Sequence, residues 1–223
     1  MNLETCHAAT GIVVVIDVIR AFTNAAFAFS RGAKEIYPVG TVEEALKFKR
    51  ELPNSFACGE VGGIPPEGFD FGNSPTQTKT LDLEGRVIVQ RTGAGTQGIV
   101  RSIDANIMLA ASLVVATATV TYIRNRRADC VTFVVTGQIG DERGDEDLAC
   151  AQYLEAMLMD QQPDRAATID RVYRSRDALL HLDPDLPAFP RSDLDHCINI
   201  DAFDFAMPVI KESGRYVMRA SKP

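Results

Sequence analysis

The stretch Gly11–Ile16, with the sequence GIVVVI, and the aspartate that follows it decide the fold class. A near-continuous run of β-branched residues is typical of a strand that is buried on both faces of a sheet. Asp17 comes directly after this run, and a helix-like stretch then extends to about Ser30. Gly32 is suited to end that helix. A buried strand that leads directly into a helix indicates an α/β protein.

The same alternation continues along the chain. Further strands are predicted at Glu35–Val39, Ser55–Gly59, Arg86–Gln90, Leu113–Thr117 and Cys130–Val135, and in the tail near His196–Ile200 and Tyr216–Arg219. Helices are predicted between them, among them one capped by Thr41, one over Asp145–Met159 and one over Pro163–Leu182. This order predicts one domain, 1–223, with helices on both faces of a mostly parallel sheet.

Composition narrows the classes of partner. The 223 residues carry a net charge of −7, which disfavours nucleic acid. No apolar run reaches the roughly 20 residues of a membrane span, and Met1–Thr10 lacks a basic signal region, so we expect a cytoplasmic protein with no membrane partner. The five cysteines are odd in number and form no C-x-x-C pair, which argues against a disulfide framework and a structural zinc site.

Oxygen-bearing side chains follow several of the predicted strands. Asp17 and Glu60 follow the first and third, and Arg91 and Thr92 follow the fourth. An acidic segment, Asp141–Asp147, spans the end of the loop Thr136–Gly144 and the start of the next predicted helix. Ligand crevices in such folds lie at the carboxyl ends of the strands. Carboxylates that converge there repel each other unless a cation lies between them, and oxygen ligands favour Mg²⁺ or Mn²⁺.

Each of these positions also has a plainer interpretation. Asp17 can pair with Arg20, or it can cap the following helix. Glu60 can be a solvated loop residue, and Asp70 and Asn73 can simply form turns. The acidic segment can be a solvated loop and helix start, or it can aim Glu146 and Asp147 at a metal.

The turn Thr92–Thr96, TGAGT, opens a helix and offers backbone N–H groups and two hydroxyls to an anion. We therefore predict anion binding by Arg91, Thr92, Gly95 and Thr96. The glycines also match G-x-G-x-x-G from Gly93, but the next predicted strand ends at Thr117 without an acidic residue, which disfavours a dinucleotide site.

Seven segments in this order resemble the 2-phosphosulfolactate phosphatase family. They are VIDVIRA (Val15–Ala21), GAKEIYPV (Gly32–Val39), EEAL (Glu43–Leu46), GEVGG (Gly59–Gly63), GFDFGNSP (Gly68–Pro75), Gly95-Thr96 and EDLACA (Glu146–Ala151). The resemblance implies a three-layer α/β/α fold with a mostly parallel or mixed sheet. It also implies Mg²⁺-dependent hydrolysis of the phosphate ester of a 2-hydroxy carboxylic acid, as in coenzyme M biosynthesis.

Carried over by position, the resemblance implies two sets of site residues. The catalytic set is Asp17, Arg20, Asp70 and Asn73, and the metal set is Asp17, Glu60, Glu146 and Asp147. The partner implied is a small anionic phosphorylated substrate. The phosphatases that attack through an aspartate carry D-x-D, and residue 19 is Ile, so we expect attack by water rather than by Asp17.

Two other functions stay open at this stage. Val61 and Ala94 stand where the family tends to have arginine and asparagine, which motivates a catalytically inactive binder of small anions. A third departure is Val135–Gly137, where the family usually has Cys-Ala-Gly. Cys130 motivates a cysteine hydrolase of the isochorismatase-like kind. An acidic α/β domain of this size is also compatible with a homo-oligomer.

Overall fold

A computed structural model describes residues 1–105, 107–137 and 144–223 of the chain. The strands are β1 (Ile12–Ile16), β2 (Glu35–Pro38), β3 (Ser55–Gly59), β4 (Val87–Arg91), β5 (Ile107–Ala111), β6 (Val131–Val135), β7 (Met207–Glu212) and β8 (Arg215–Met218). The helices are α1 (Ala21–Ser30), α2 (Val42–Glu51), α3 (Pro75–Thr78), α4 (Gly95–Arg101), α5 (Ala116–Arg126), α6 (Asp145–Leu158), α7 (Arg165–Tyr173), α8 (Arg176–Leu182) and α9 (Arg191–Cys197).

In the described part of the chain, eight strands form one sheet in the order β3-β4-β2-β8-β7-β5-β1-β6. The outer blocks β3-β4-β2 and β5-β1-β6 are each internally parallel. The antiparallel hairpin β7-β8 lies between them and pairs antiparallel with both blocks. The sheet is therefore mixed, and the two parallel blocks run in opposite directions.

Strand β1 lies inside the sheet with all five residues buried, as its β-branched run predicts. Val13 and Val15 pack in the same apolar cluster as α1 and α4, on one face of the sheet. Ile12, Val14 and Ile16 pack on the other face with α5 and α6. This arrangement is the three-layer α/β/α fold that the family resemblance implies.

Helix α4 crosses from the end of β4 onto β1, and two glycines allow the approach. A Cβ on Gly98 would lie 2.5 Å from Cγ1 of Val15, and a Cβ on Gly95 would lie 2.7 Å from Oδ2 of Asp17. Only glycine fits so close to a neighbouring element. This crossing brings the turn after β4 to the end of β1, although their strands belong to opposed blocks.

Several local predictions are confirmed. Oγ1 of Thr41 accepts a hydrogen bond from the N–H of Glu44 at 3.1 Å, so Thr41 caps α2. The strand Ser55–Gly59 has the predicted bounds, and the closing strand β8 lies near its predicted place. Beyond these predictions, Phe71 of the GFDFGNSP segment is buried, so this part of the chain packs against the core.

Three predictions of secondary structure are wrong. The strand is β5 at Ile107–Ala111, and Leu113–Val115 is a 3-10 turn that leads into α5. His196 and Cys197 end helix α9 rather than begin a strand. The predicted helix over Pro163–Leu182 is two helices, because Ser175 caps a second one through the N–H of Ala178. Short apolar runs do not distinguish a buried strand from a buried turn or helix.

The hairpin strand β7 was not predicted. Residues 138–143 of the predicted loop Thr136–Gly144 lie outside the described residues, and they include Asp141, Glu142 and Arg143 of the acidic segment. Within the described ranges, no helix is both long and apolar enough to cross a membrane.

Candidate active site

A cavity of about 420 Å³ opens where the loops after β1, β3, β4 and β6 meet helix α8. Its charged and amide-bearing lining residues are Asp17, Arg20, Glu60, Asn73, Arg176 and Asp177. Four of these six were predicted site residues, and they come from segments far apart in sequence. The convergence of strand-end residues in one crevice is thus observed.

Asp17 is the buried carboxylate at the floor of this cavity, 5% exposed. Its Oδ1 accepts a hydrogen bond from the N–H of Ala21 at 2.9 Å, and its Oδ2 accepts one from Gly95 at 2.7 Å. Asp17 therefore holds the first turn of α1 and also ties α4 to β1. Asp17 is therefore both a residue that stabilises the start of helix α1 and a residue that lines the cavity.

Burial raises the pKa of Asp17 to about 7. The nearby negative charges of Glu60 and Asp177 act in the same direction, and the N–H groups that donate to Asp17 oppose them. A carboxyl group in this state exchanges its proton near neutral pH.

Glu146 and Asp147 lie behind the wall formed by Thr136 and Gly137. Asp147 accepts hydrogen bonds from the N–H groups of Val18 at 2.8 Å and Gly137 at 2.9 Å. Burial raises the pKa of Glu146 to about 7, and burial with the charge of Glu146 raises the pKa of Asp147 well above its usual range. When ionised, each of them places a negative charge near Asp17.

Glu60 is held at the cavity rim by backbone N–H groups. Its Oε2 accepts a hydrogen bond from Gly63 at 2.8 Å, and its Oε1 accepts a short one from Gly93. The GEVGG segment and the turn after β4 are thus joined through this carboxylate. Each ionised carboxylate oxygen has two acceptor sites, so these bonds leave Asp17 and Glu60 able to accept further partners.

Arg20 is 5% exposed and lies at the cavity wall. Its Nη1 donates to Oδ2 of Asp193 at 2.8 Å and to the carbonyl of Ala188 at 3.1 Å. Its Nη2 donates to the carbonyl of Gly63 at 3.2 Å, and the guanidinium lies 5.0 Å from the ring centroid of Phe189. Arg20 thus pairs with Asp193 rather than with Asp17.

The two predicted residues of GFDFGNSP occupy different places. Asn73 is buried and lines the cavity, and its Oδ1 has no hydrogen-bond partner among the described residues. Asp70 is not among the residues lining the cavity; its Oδ1 lies 2.8 Å from Nζ of Lys49, and its Oδ2 accepts from the N–H of Ala57. The structure brings Asn73 to Asp17 and Arg20, and it does not bring Asp70 there.

The predicted anion site at the TGAGT turn is used internally. The N–H of Thr92 donates to Oγ1 of Thr96 at 2.8 Å, and the N–H of Thr96 donates to Oγ1 of Thr92 at 3.1 Å. The N–H of Gly95 donates to Asp17, and Nη1 of Arg91 donates to the carbonyl of Glu60. These four residues shape the turn, and only Gly93 and Ala94 of this segment line the cavity.

A model of the 2-phosphosulpholactate phosphatase family matches residues 2–212. The chain belongs to the 2-phosphosulfolactate phosphatase family. It is 33% identical to a Bacillus subtilis protein named "Probable 2-phosphosulfolactate phosphatase" over 209 residues, which are 93% of this chain and 90% of that protein. Identically named proteins of Carboxydothermus hydrogenoformans and Thermoplasma volcanium are each 30% identical, over 94% and 87% of this chain and 91% and 87% of theirs.

Family membership confirms the resemblance and places the chain among phosphoric monoester hydrolases. The positions that depart from the family pattern lie around the cavity. Ala94 and Thr136 line the cavity, and Val61 is exposed beside it. The hydroxyl of Thr136 donates to the carbonyl of Ile16 at 2.8 Å.

Several residues of this family member's cavity were missed by sequence reasoning. Arg176, Asp177 and His181 of α8 line it, and Asp193 of α9 supports it. The available signal was weak: Ser175 followed by Arg176 and Asp177 is an ordinary helix start. Nothing local in the tail indicates that it folds back over the end of β1.

Cys130 lies too far away for a cysteine mechanism. Asp17 follows the carboxyl end of β1, and Cys130 precedes the amino end of β6, which is parallel to β1 with Ile16 beside Val135. A five-residue strand spans roughly 16 Å. This separation excludes a catalytic pair of Asp17 and Cys130.

Proposed function

We propose that this family member is a Mg²⁺-dependent phosphatase that hydrolyses the phosphate ester of a 2-hydroxy carboxylic acid, of the 2-phosphosulfolactate type. The observation that carries the proposal is the cavity where Asp17, Glu60 and Arg20 meet. A phosphate ester of a hydroxy acid needs cationic groups for its anions and carboxylates for metal and proton transfer.

Arg20 is suited to bind an anionic oxygen of the substrate. Within the described part of the chain, its three hydrogen bonds use three of the five N–H donors of a guanidinium. These three bonds fix the orientation of the guanidinium, and they therefore also fix the direction of its remaining N–H donors. Arg176 brings a second positive charge to the same cavity.

The donor set fits Mg²⁺. Asp17 and Glu60 would hold the ion from the cavity, with Glu146 and Asp147 contributing charge from behind it. The described residues contain no cluster of three or more histidine, cysteine or carboxylate side chains that would form a complete metal cage. Mg²⁺ is usually bound through one or two carboxylates with waters and substrate phosphate, so this donor set suffices. When bound, Mg²⁺ supplies Lewis-acid polarisation of the phosphoryl group.

Water is the attacking group that we infer. Both oxygens of Asp17 accept backbone hydrogen bonds, which hold the carboxylate in place and weaken it as a nucleophile. A carboxylate beside the ion is suited to take a proton from the attacking water and to return it to the leaving oxygen. A cytoplasmic location and a homo-oligomer belong to the same proposal.

Phosphate release from a panel of esters tests the proposal. The panel contains 2-phosphosulfolactate and 2-phospholactate, with glycerol 2-phosphate as a matched ester without a carboxylate, each with Mg²⁺ and with EDTA. We expect release from the two acids in Mg²⁺, loss of release in EDTA, and at least a roughly hundredfold lower rate for Asp17→Asn. Cys130→Ser is the control variant and keeps the wild-type rate.

Two results would reject the proposal. Hydrolysis by Asp17→Asn at the wild-type rate rejects the assigned site. A clear thermal shift with the substrates but no released phosphate identifies the protein as an inactive binder, as Ala94 and Val61 would allow.

A further inference from the structure

Asp193 links three segments that are far apart in sequence. It belongs to α9, and its side chain is fully buried. Its Oδ2 accepts from Arg20, while its Oδ1 accepts from the hydroxyl of Ser74 at 2.7 Å and from the N–H of Thr76 at 2.9 Å. One carboxylate therefore joins the tail, the turn after β1 and the GFDFGNSP loop.

A buried carboxylate is costly unless its charge is paired and its oxygens are hydrogen-bonded. Asp193 meets both conditions, since Arg20 supplies the charge and Ser74 and Thr76 supply donors to the other oxygen. In return, Arg20 is held from several sides by Asp193, two carbonyls and the face of Phe189. Such a guanidinium keeps one orientation toward the cavity.

The carboxylate of Asp193 also fixes Asn73, which precedes the Ser74 that Asp193 contacts. Ser74 follows Asn73, whose buried Oδ1 is unpartnered among the described residues and lines the cavity with Arg20. Holding Ser74 and Thr76 on either side of Pro75 fixes the backbone that carries Asn73. Two cavity groups from different segments thus depend on one buried side chain.

We propose that Asp193 is a positioning residue for substrate binding: it sets the guanidinium of Arg20 and the loop that carries Asn73 so that both face the phosphorylated substrate. The inference deepens the proposed function and rests on it for the identity of the substrate. Its core, the binding of a phosphate group by a preset Arg20, is measurable without turnover. If Asp193 only held helix α9 in place, its contacts with Ser74 and Thr76 would be sufficient, and its ion pair with Arg20 would not be needed.

The test compares Asp193→Asn with Asp195→Asn, an exposed aspartate two residues later on the same helix. Isothermal titration with inorganic phosphate in Mg²⁺ gives Kd, initial rates on 2-phosphosulfolactate give KM and kcat, and circular dichroism gives the folded fraction. We expect Asp193→Asn to raise Kd and KM about ten- to a hundredfold per folded molecule. Asp195→Asn is expected to stay within roughly twofold of wild type.

A double-mutant cycle separates positioning from a general structural role. If Asp193 acts largely through Arg20, the change Asp193→Asn weakens phosphate binding by a clearly smaller factor in an Arg20→Gln background than in wild type, and the loss that remains is the part due to the loop that carries Asn73. Equal losses in both backgrounds overturn the proposal. A lower Tm for Asp193→Asn with unchanged Kd and KM also overturns it.

A milder variant tests the proposal if Asp193→Asn does not fold. Ser74→Ala removes one hydrogen bond to Asp193 and keeps both charges, and at least a roughly threefold rise in the phosphate Kd is expected. An unchanged Kd would overturn the proposal. If no ester is hydrolysed and Asp193→Asn still weakens phosphate binding, the proposed function fails and this inference stands. A wild-type protein that binds no phosphate overturns both.

Discussion

Replacing Asp17 with asparagine should change the stability of the protein with a sign that depends on pH. Burial raises the pKa of Asp17 from 3.8 to about 7. Because this pKa is higher in the folded than in the unfolded state, the group's stabilising contribution is complete below about pH 4 and is lost as pH rises to about 7. A shift of this size corresponds to about 4 kcal/mol.

Asparagine removes this titration but keeps the size of the side chain. It also loses an acceptor, because its NH₂ group faces one of the two N–H donors of Ala21 and Gly95, which costs about 1–3 kcal/mol. We therefore expect Asp17→Asn to be equal to or less stable than wild type at pH 4. At pH 8 we expect it to be more stable by about 1–3 kcal/mol.

Urea unfolding in EDTA, followed by circular dichroism between pH 4 and pH 8, measures this difference; the chain contains 0 tryptophans, so tryptophan fluorescence offers no signal. Asp195→Asn is the control and should differ from wild type by less than about 0.5 kcal/mol throughout. Adding Mg²⁺ should stabilise wild type and leave Asp17→Asn unaffected, since the ion favours the ionised carboxylate. A stability difference that is flat or falls with rising pH would refute this reasoning.

Three further outcomes follow from the same geometry. Gly95→Ala should lower stability by about 1–3 kcal/mol in urea unfolding, because its Cβ would meet Oδ2 of Asp17 at 2.7 Å, while Gly40→Ala, with its nearest neighbour at 3.6 Å, should not. Thr96→Val should lower stability by about 1–3 kcal/mol by leaving the N–H of Thr92 unpaired, with KM for the phosphate ester within about twofold of wild type; a large rise in KM would restore the anion-binding role. Thiol alkylation of exposed Cys130 should leave the rate of phosphate release unchanged, and inactivation that Cys130→Ser abolishes would contradict this.

Local sequence was sufficient where the signal lies within one element. The β-branched run of β1 favours a strand with both faces buried, and Asp17 stands at its end. The VIDVIRA, GEVGG and GFDFGNSP segments, taken together and in their order, were sufficient to indicate the family. These features are fixed by the periodicity and residue types of short segments.

Local sequence was insufficient where burial came from elsewhere. Leu113–Val115 is as apolar as a strand, yet it is a turn that is fully buried between α1, α5 and α9, and the strand is β5. Likewise, the sequence predicts that the hydroxyls of Thr92 and Thr96 bind an anion. Only the folded turn shows that they bond to each other.

The sequence by itself determined the strand-end carboxylates Asp17 and Glu60, because a buried strand and a following loop can be recognised one segment at a time. Tertiary structure decided which groups meet there. Arg20 pairs with Asp193, 173 residues away, and α8 brings Arg176 and Asp177 to the same cavity. The physical reason is that a buried charge must be paired with a group of opposite charge. The packing of distant segments determines which group that is, and the local sequence does not indicate it.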